Sequence, residues 1–342
     1  MVGAAAALAA VRGGRRVALL EAESLSEAHG SSAGSARIFA PFPFPDQEHL
    51  EMALRALDRW REIEREAGER LLTRTGALSR GDLAERALPA LRDAGVEAEL
   101  IGADAAGQLG VRMPGDGTFL HQPDAGTIHS DRARGALLRL AASAGASLHG
   151  GERARSIAAT GDAVEVETDR RRWRSESAIV AAGPWSRSLL ARSEIDLDAT
   201  PTSQTVAYFD LEHPSARPPA VIEYDGDEPY ACWDPDHGLK AGLHVRGAEV
   251  EPEHTSPTVD HGAVERIAAW VGRRFPAASG APAAVDACMY TSSADERFIL
   301  DARDRIVVAC PCNGHGFQFA PETGARLAEL AVGDGALSGS TG

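Results

Sequence analysis

Lysine is almost absent from this 342-residue chain: of its 35 basic side chains only Lys240 is a lysine, and the other 34 are arginines. An ammonium is a compact charge whose pKa shifts on burial, whereas a guanidinium is a planar fork that stays charged. A solitary lysine therefore marks a position where an ammonium does what a guanidinium cannot, with chance as the competing explanation. Positive charge is scarce as a whole. The net charge is -15, and a nucleic-acid surface needs clustered Lys and Arg to displace counterions, so no nucleic-acid partner is expected. Long apolar runs are missing too, and none reaches the ~20 residues that cross a bilayer, so no membrane partner is expected either. Cysteine is sparse. Cys232, Cys288, Cys310 and Cys312 form no secretory disulfide framework and no paired C-x-x-C elements, which fits a reduced, cytoplasmic protein. Cys310 and Cys312 lack the second pair or histidine cluster that completes a four-ligand metal site, so no metal is expected and the two are read as packing.

What is present has the length for two interleaved domains. Gly3 to Arg12 reads as an Ala-rich helix stopped by Gly13-Gly14, and Arg16 to Ala22 as an apolar strand. That strand follows the apolar start with no cleavage-like polar region between, which speaks against a signal peptide. Helix and strand form the second half of a β-α-β nucleotide-binding unit. Glu21, 18 positions after Gly3, then sits where an acid holds ribose hydroxyls; an ordinary solvated strand-end acid is the alternative. Asp46 to Gly68 reads as a helix with Asp46 as N-cap, Gly68 as stop and Leu50, Leu54, Leu57, Trp60 and Ile63 on one face. Pro41-Phe42-Pro43-Phe44-Pro45 is too rich in proline for helix or central strand, and reads as a stiff surface loop whose two aromatics are exposed or half-buried, a candidate lid.

Further on, Ser130 to Ala146 is expected as a helix, Ala163 to Thr168 as an alternating strand, and Ala178 to Gly183 as a buried strand entering a glycine turn. Residues 201–284 alternate as an antiparallel sheet would. Lys240 and His244, four apart, fall on one side of a strand there. Gly314-His315-Gly316 can let the backbone approach a flat ligand, a plain hairpin being the alternative. A helix from Glu322 to Ala331 would turn its positive N-terminal end toward that ligand.

Four segments together are similar to the monomeric sarcosine oxidase and N-methyltryptophan oxidase family, within the D-amino-acid-oxidase-like FAD-dependent amine oxidoreductases. They are Gly3 to Glu21; Ala181-Ala182-Gly183-Pro184-Trp185-Ser186; Ala287-Cys288-Met289-Tyr290-Thr291 with Asp295 to Asp301; and Asn313-Gly314-His315-Gly316-Phe317-Gln318-Phe319. The resemblance implies FAD bound by Gly3, Glu21, Gly183, Trp185 and the loop Gly314, His315, Gly316, Phe317 and Gln318. It also implies that Cys288 carries the flavin through a thioether at the 8α-methyl. Lys240 matches the family's oxygen-activating lysine, His244 a substrate-facing position, and Arg37 and Tyr230 positions near the ring. The implied fold is α/β, a Rossmann-like FAD-binding domain (1–40, 130–200 and 285–342) with a second domain of mixed or antiparallel sheet for substrate (41–129 and 201–284). The implied activity is oxidation of a small secondary or N-methyl amine to an imine by hydride transfer to flavin, with O2 as oxidant and hydrogen peroxide as product, in a monomer.

The chain departs from the family in two places. Family members that oxidise free N-methyl amino acids clamp the carboxylate between an arginine and a lysine, and the matching positions here are Ala40 and Gln318. Without that charge-assisted hold a free small amino acid is not the expected substrate; an amine that is larger, more apolar, or carries its carboxyl masked is. The first strand and the first two glycines of G-x-G-x-x-G are also absent, so a central sheet position is expected to be empty. We expect the natural start to lie upstream and the Gly- and Ser-rich end to be trimmed. Rival readings are a flavin dehydrogenase or desaturase acting on a cyclic or carrier-bound amine, and a degenerate non-catalytic homologue.

Overall fold

Alanine and glycine let the first and last helices approach closely. Val2–Arg12 buries Ala4 to Leu8 against Ala320–Leu330, and a Cβ on Gly324 would fall 2.6 Å from the carbonyl carbon of Ala5. Gly324→Ala must separate these helices. By the usual cost of overpacking it lowers stability by about 1–3 kcal/mol, read as a drop in thermal midpoint. The computed structural model describes residues 1–332 other than 28, 29, 114, 116, 192 and 214; the tail expected to be trimmed lies outside the described residues.

The nucleotide sheet is in two pieces. Ala18–Leu20 pairs in parallel with Ser147–His149, and is shorter than the expected 16–22 because that neighbour offers three partners. Ala178–Val180 pairs in parallel with Ile306–Cys310, which continues antiparallel into Ile299–Arg303. Ala18–Leu20 and Ala178–Val180 each have one strand neighbour among the described residues, and both line a single cavity. An antiparallel meander of Ala154–Thr160, Ala163–Thr168 and Arg172–Ser175 flanks this half.

Among the described residues the largest sheet has eight strands. Its order is Ala284–Ser292, Thr200–Phe209, Gly238–Leu243, Pro229–Asp234, Ala220–Glu223, Ala77–Arg80, Phe119–Gln122 and Glu99–Ile101. It is antiparallel except where Ala220–Glu223 meets Ala77–Arg80. Helix His261–Arg274 covers one face: Ile267, Trp270 and Val271 share a core with Leu239, Ala241, Leu243 and Phe209. Because side chains alternate, the even-numbered residues of Gly238–Leu243, Lys240 among them, turn to the opposite face. Ala284–Ser292 pairs with Thr200–Phe209 along its whole length. Ala284–Ser292 is thus an edge strand of the eight-stranded sheet.

Local signals are realised closely in the helix Gln47–Ala67. The Asp46 carboxylate accepts from the His49 amide at 3.2 Å, and Gly68 ends the helix in the left-handed region at φ 68°. The helix read at 130–146 is Ser130–Ser143. The final helix starts two residues earlier than expected, at Ala320, behind a 3-10 turn over Gly316–Phe319.

Candidate active site

A cavity of about 1930 Å³ runs between the split nucleotide sheet and the open face of the eight-stranded sheet. At the nucleotide end, Gly3 brings its helix against Ala181, whose Cβ lies 3.7 Å from where a glycine Cβ would sit. Glu21 follows the Ala18–Leu20 strand, takes the His149 carbonyl on its amide at 2.9 Å, and accepts the Glu23 amide on its carboxylate at 3.1 Å. Gly183 adopts φ 55°, and Trp185 donates its indole N–H to the Pro252 carbonyl at 3.3 Å. All four line the cavity.

The loop after Ile306–Cys310 is threaded where only glycine fits. Asn313 anchors it: its Oδ1 accepts from the Ser293 amide at 2.9 Å and its Nδ2 donates to the Arg297 carbonyl at 3.1 Å. Gly314 has φ 74°, and a Cβ there would lie 2.5 Å from both His244 Cε1 and Tyr290 Cε2. A Cβ on Gly316 would lie 1.5 Å from the Pro311 carbonyl oxygen. The glycines therefore serve close backbone approach. Between them, His315 faces the Asn313 carbonyl through Nδ1 at 2.8 Å, which requires Nδ1 to carry the proton. Burial first, then the neighbouring His244 and His49, push its pKa down to about 3, so its ring is neutral at ordinary pH. Phe317 lies under the Arg37 guanidinium, 5.3 Å from carbon to ring centre.

Ala40 and Gln318, the positions that lack the carboxylate clamp, meet each other: the Ala40 amide donates to Gln318 Oε1 at 3.1 Å. The Gln318 carbonyl takes the Trp60 indole N–H at 2.8 Å. In the 41–45 loop, read as a candidate lid, Phe44 is half-buried as expected and Phe42 is not. Phe42 is buried and stacked on Tyr224 with ring centres 4.9 Å apart, because Tyr224 supplies the apolar surface that a free loop would lack. Phe42 and Phe44 both line the cavity.

Lys240 is buried, 5% exposed, and donates to the Ala36 carbonyl at 3.2 Å. Burial first, then the Arg37 charge, lower its pKa to about 8, against the opposing pull of Cys232, Cys288 and Asp234. Arg37 is held by the carbonyls of Ala36 at 2.8 Å, Ser31 at 3.1 Å, and Ala33. A Cβ on Gly34 would stand 3.4 to 3.5 Å from Arg37 Nη1, Lys240 Nζ and Tyr208 Oη, so these three groups converge at one point. Cys288, on the edge strand opposite Gln204, also lines the cavity. Burial pushes its thiol up while Lys240 and Arg37 pull it down. The Tyr230 and Tyr290 hydroxyls are 3.4 Å apart, and burial pushes Tyr230 up to about 12. His244 lies one residue past its strand, its amide on the Glu228 carbonyl at 2.9 Å. Its ring centre is 5.8 Å from that of Tyr290, and burial holds its pKa below the ordinary histidine value.

Arg37, Tyr230, Lys240, His244, Cys288 and the loop from Gly314 to Gln318 thus line the same cavity as Gly3, Glu21, Gly183 and Trp185. Sequence reasoning missed Tyr208, Tyr290 and Asp234. Tyr290 was within reach, since strand alternation places it on the same side as Cys288 two residues earlier. Asp234, fully buried, accepts from Ser35 Oγ at 2.5 Å, a partner 199 residues away that no local pattern announces.

The cavity suits a long, flat dinucleotide: it spans from a strand-end acid to a glycine turn in which no Cβ is tolerated. The family model for FAD-dependent oxidoreductases (DAO) matches residues 1–330, and the chain belongs to this family. Within it the chain is 26% identical to monomeric sarcosine oxidase of Bacillus sp. (strain B-0618), over 97% of this chain and 90% of that protein. It is 28% identical to peroxisomal sarcosine oxidase of Homo sapiens, over 93% and 86%, and 27% identical to N-methyl-L-tryptophan oxidase of Salmonella dublin, over 97% and 92%. Among solved structures, the open form of NikD, described as an unusual amino acid oxidase essential for nikkomycin biosynthesis, shares the fold at a TM-score of 0.86, with 24% identity over 97% of this chain and 92% of that one. Among the described residues no helix is long and apolar enough to cross a membrane.

Proposed function

We propose that the chain is an amine oxidase that oxidises a secondary or N-methyl amine to an imine. FAD would be held by Gly3, Glu21, Gly183, Trp185 and the loop Gly314, His315, Gly316, Phe317 and Gln318, and attached through Cys288. FAD would supply the acceptor for a hydride from the carbon beside the amine nitrogen. Arg37 and Lys240 would supply positive charge on the cavity wall, and Tyr230 and His244 would orient the amine, which would react unprotonated. The buried ammonium of Lys240 lowers the barrier to electron transfer to O2, with hydrogen peroxide as product. The observation that carries this reading is the solitary lysine, buried with Arg37 beside it and Cys288 on the same cavity. The relatives' names support an amine substrate and a monomer, and four free thiols support a cytoplasmic location.

The substrate is not a free small amino acid, because Ala40 and Gln318 are bonded to each other and offer a carboxylate no cation. The same observation favours a second reading, a dehydrogenase or desaturase acting on a cyclic or carrier-bound amine. Anaerobic mixing with secondary amines should bleach the visible flavin band, and admitted air should restore it with one peroxide per amine oxidised. Bleaching without peroxide on reoxidation selects the second reading; a colourless purified protein removes both.

A further inference from the structure

The segment that carries Arg37 is pinned by a buried carboxylate that the proposed reaction leaves unused. Asp234 is fully buried. Its Oδ2 accepts from Ser35 Oγ at 2.5 Å, and its Oδ1 accepts the Asp236 and His237 amides at 2.9 and 3.0 Å. His237, half-exposed, meets the same oxygen through Nδ1 at 3.2 Å and lays its ring 4.5 Å from that of Tyr208, centre to centre. One residue beyond Ser35, the Ala36 carbonyl accepts from both Lys240 Nζ at 3.2 Å and Arg37 Nη1 at 2.8 Å. The carbonyl that gathers the two cations thus follows directly on the residue that Asp234 holds.

Strand register puts the carboxylate on the matching face. Lys240 stands opposite Cys232, and Asp234 is two residues further along the same strand. It therefore shares the face of Lys240 as its diagonal neighbour, with backbones about 7–8 Å apart. The groups that face the ammonium from the elements packed around it are Arg37 from Ala36–Phe39, Tyr208 from Thr200–Phe209, Cys232 and Asp234 from Pro229–Asp234, and Cys288 from Ala284–Ser292. Two cations sharing one carbonyl in a buried site repel each other, and a nearby carboxylate offsets that cost.

We propose that Asp234 is the positioning residue of Lys240. Through Ser35 it fixes the Ala36 carbonyl that holds the ammonium beside Arg37, and from behind the cavity wall it supplies the negative charge that lets the two cations stand together. It acts through Lys240 and not on the substrate. This inference rests on the proposed amine oxidation, in which Lys240 serves the step with O2.

The solitary lysine makes the test direct. Holoenzyme grown on lysine labelled with carbon-13 at Cε carries the label at Lys240 alone, and that carbon resonance follows the ammonium whether or not the protein turns over. Asp234→Asn keeps the tie, its oxygen accepting the turn amides and its amide donating to Ser35 Oγ, and removes the charge. The titration midpoint of Lys240, about 8 in the unmutated protein, should move down by about half to one pH unit. The pH at which reoxidation by O2 begins to decline should move down with it. Ser35→Ala keeps the charge and cuts the tie; reoxidation should slow about three- to tenfold, the scale of one hydrogen bond, while anaerobic reduction by the amine is spared. An unmoved midpoint in Asp234→Asn overturns the inference and leaves amine oxidation standing. So does unchanged reoxidation in Ser35→Ala, or an equal loss in both half-reactions. If Asp234→Asn does not fold, Ser35→Ala decides by the same criteria. If Lys240→Met reoxidises at the unmutated rate, the inference falls together with the reading beneath it.

Discussion

Replacing Lys240 by Met slows reoxidation of the reduced protein by O2 by about 10²- to 10³-fold, the usual scale for removing a preorganised charge from a dry site, while anaerobic reduction by the amine is largely spared. The two half-reactions are separable by stopped-flow, reduction under nitrogen and reoxidation on mixing with aerated buffer. Equal losses in both steps would contradict the assigned role. Lys240 is suited to that role because it is 5% exposed and tied to the Ala36 carbonyl, so its charge is neither screened by bulk water nor free to swing away. Its pH dependence follows from the same burial. With the pKa lowered to about 8, the ammonium is present below pH 8 and is lost as pH rises through that value. Reoxidation of the unmutated protein should therefore slow above pH 8, and the Met variant should not show that decline.

Cys288→Ala releases the flavin. Acid precipitation of the unmutated protein should leave the yellow colour in the pellet, and the variant's colour should move wholly to the supernatant. A variant that retains attached flavin sinks the tether at this residue. Attachment needs the thiolate, and in this site burial raises the thiol while Lys240 and Arg37 oppose it. The same two cations that would serve the redox ring thus also favour the reactive form of the sulfur. FAD should dissociate from Cys288→Ala on dialysis.

Several of these features were legible in the sequence. Asp46 and Gly68 delimit their helix because capping is a matter of a few neighbouring residues, and the helix runs Gln47–Ala67 between them. Gly314 and Gly316 stood out as a turn that could meet a flat ligand, but the reason no other residue fits was out of sight. The obstacles are His244, Tyr290 and Pro311, two of them more than 20 positions away along the chain. The even spacing of Lys240 and His244 pointed to one side of a strand; the strand ends at Leu243, yet both residues still line the cavity. The Phe42 loop was read as a lid because proline density speaks only of local stiffness, while its burial depends on Tyr224.

By itself, then, the sequence determined the elements that short-range chemistry controls: helix caps, strand alternation, the glycine turn, the excess of negative charge and the position of a single lysine. Tertiary structure alone decided what those elements face. Strand pairing at long range put Ala284–Ser292 on the edge of the eight-stranded sheet, and the tertiary fold brought the Ala40 amide to Gln318 across 278 positions. The physical reason is that capping and alternation are settled by neighbours a few residues away, whereas the field inside a cavity is the sum over groups that only the register of distant strands brings together.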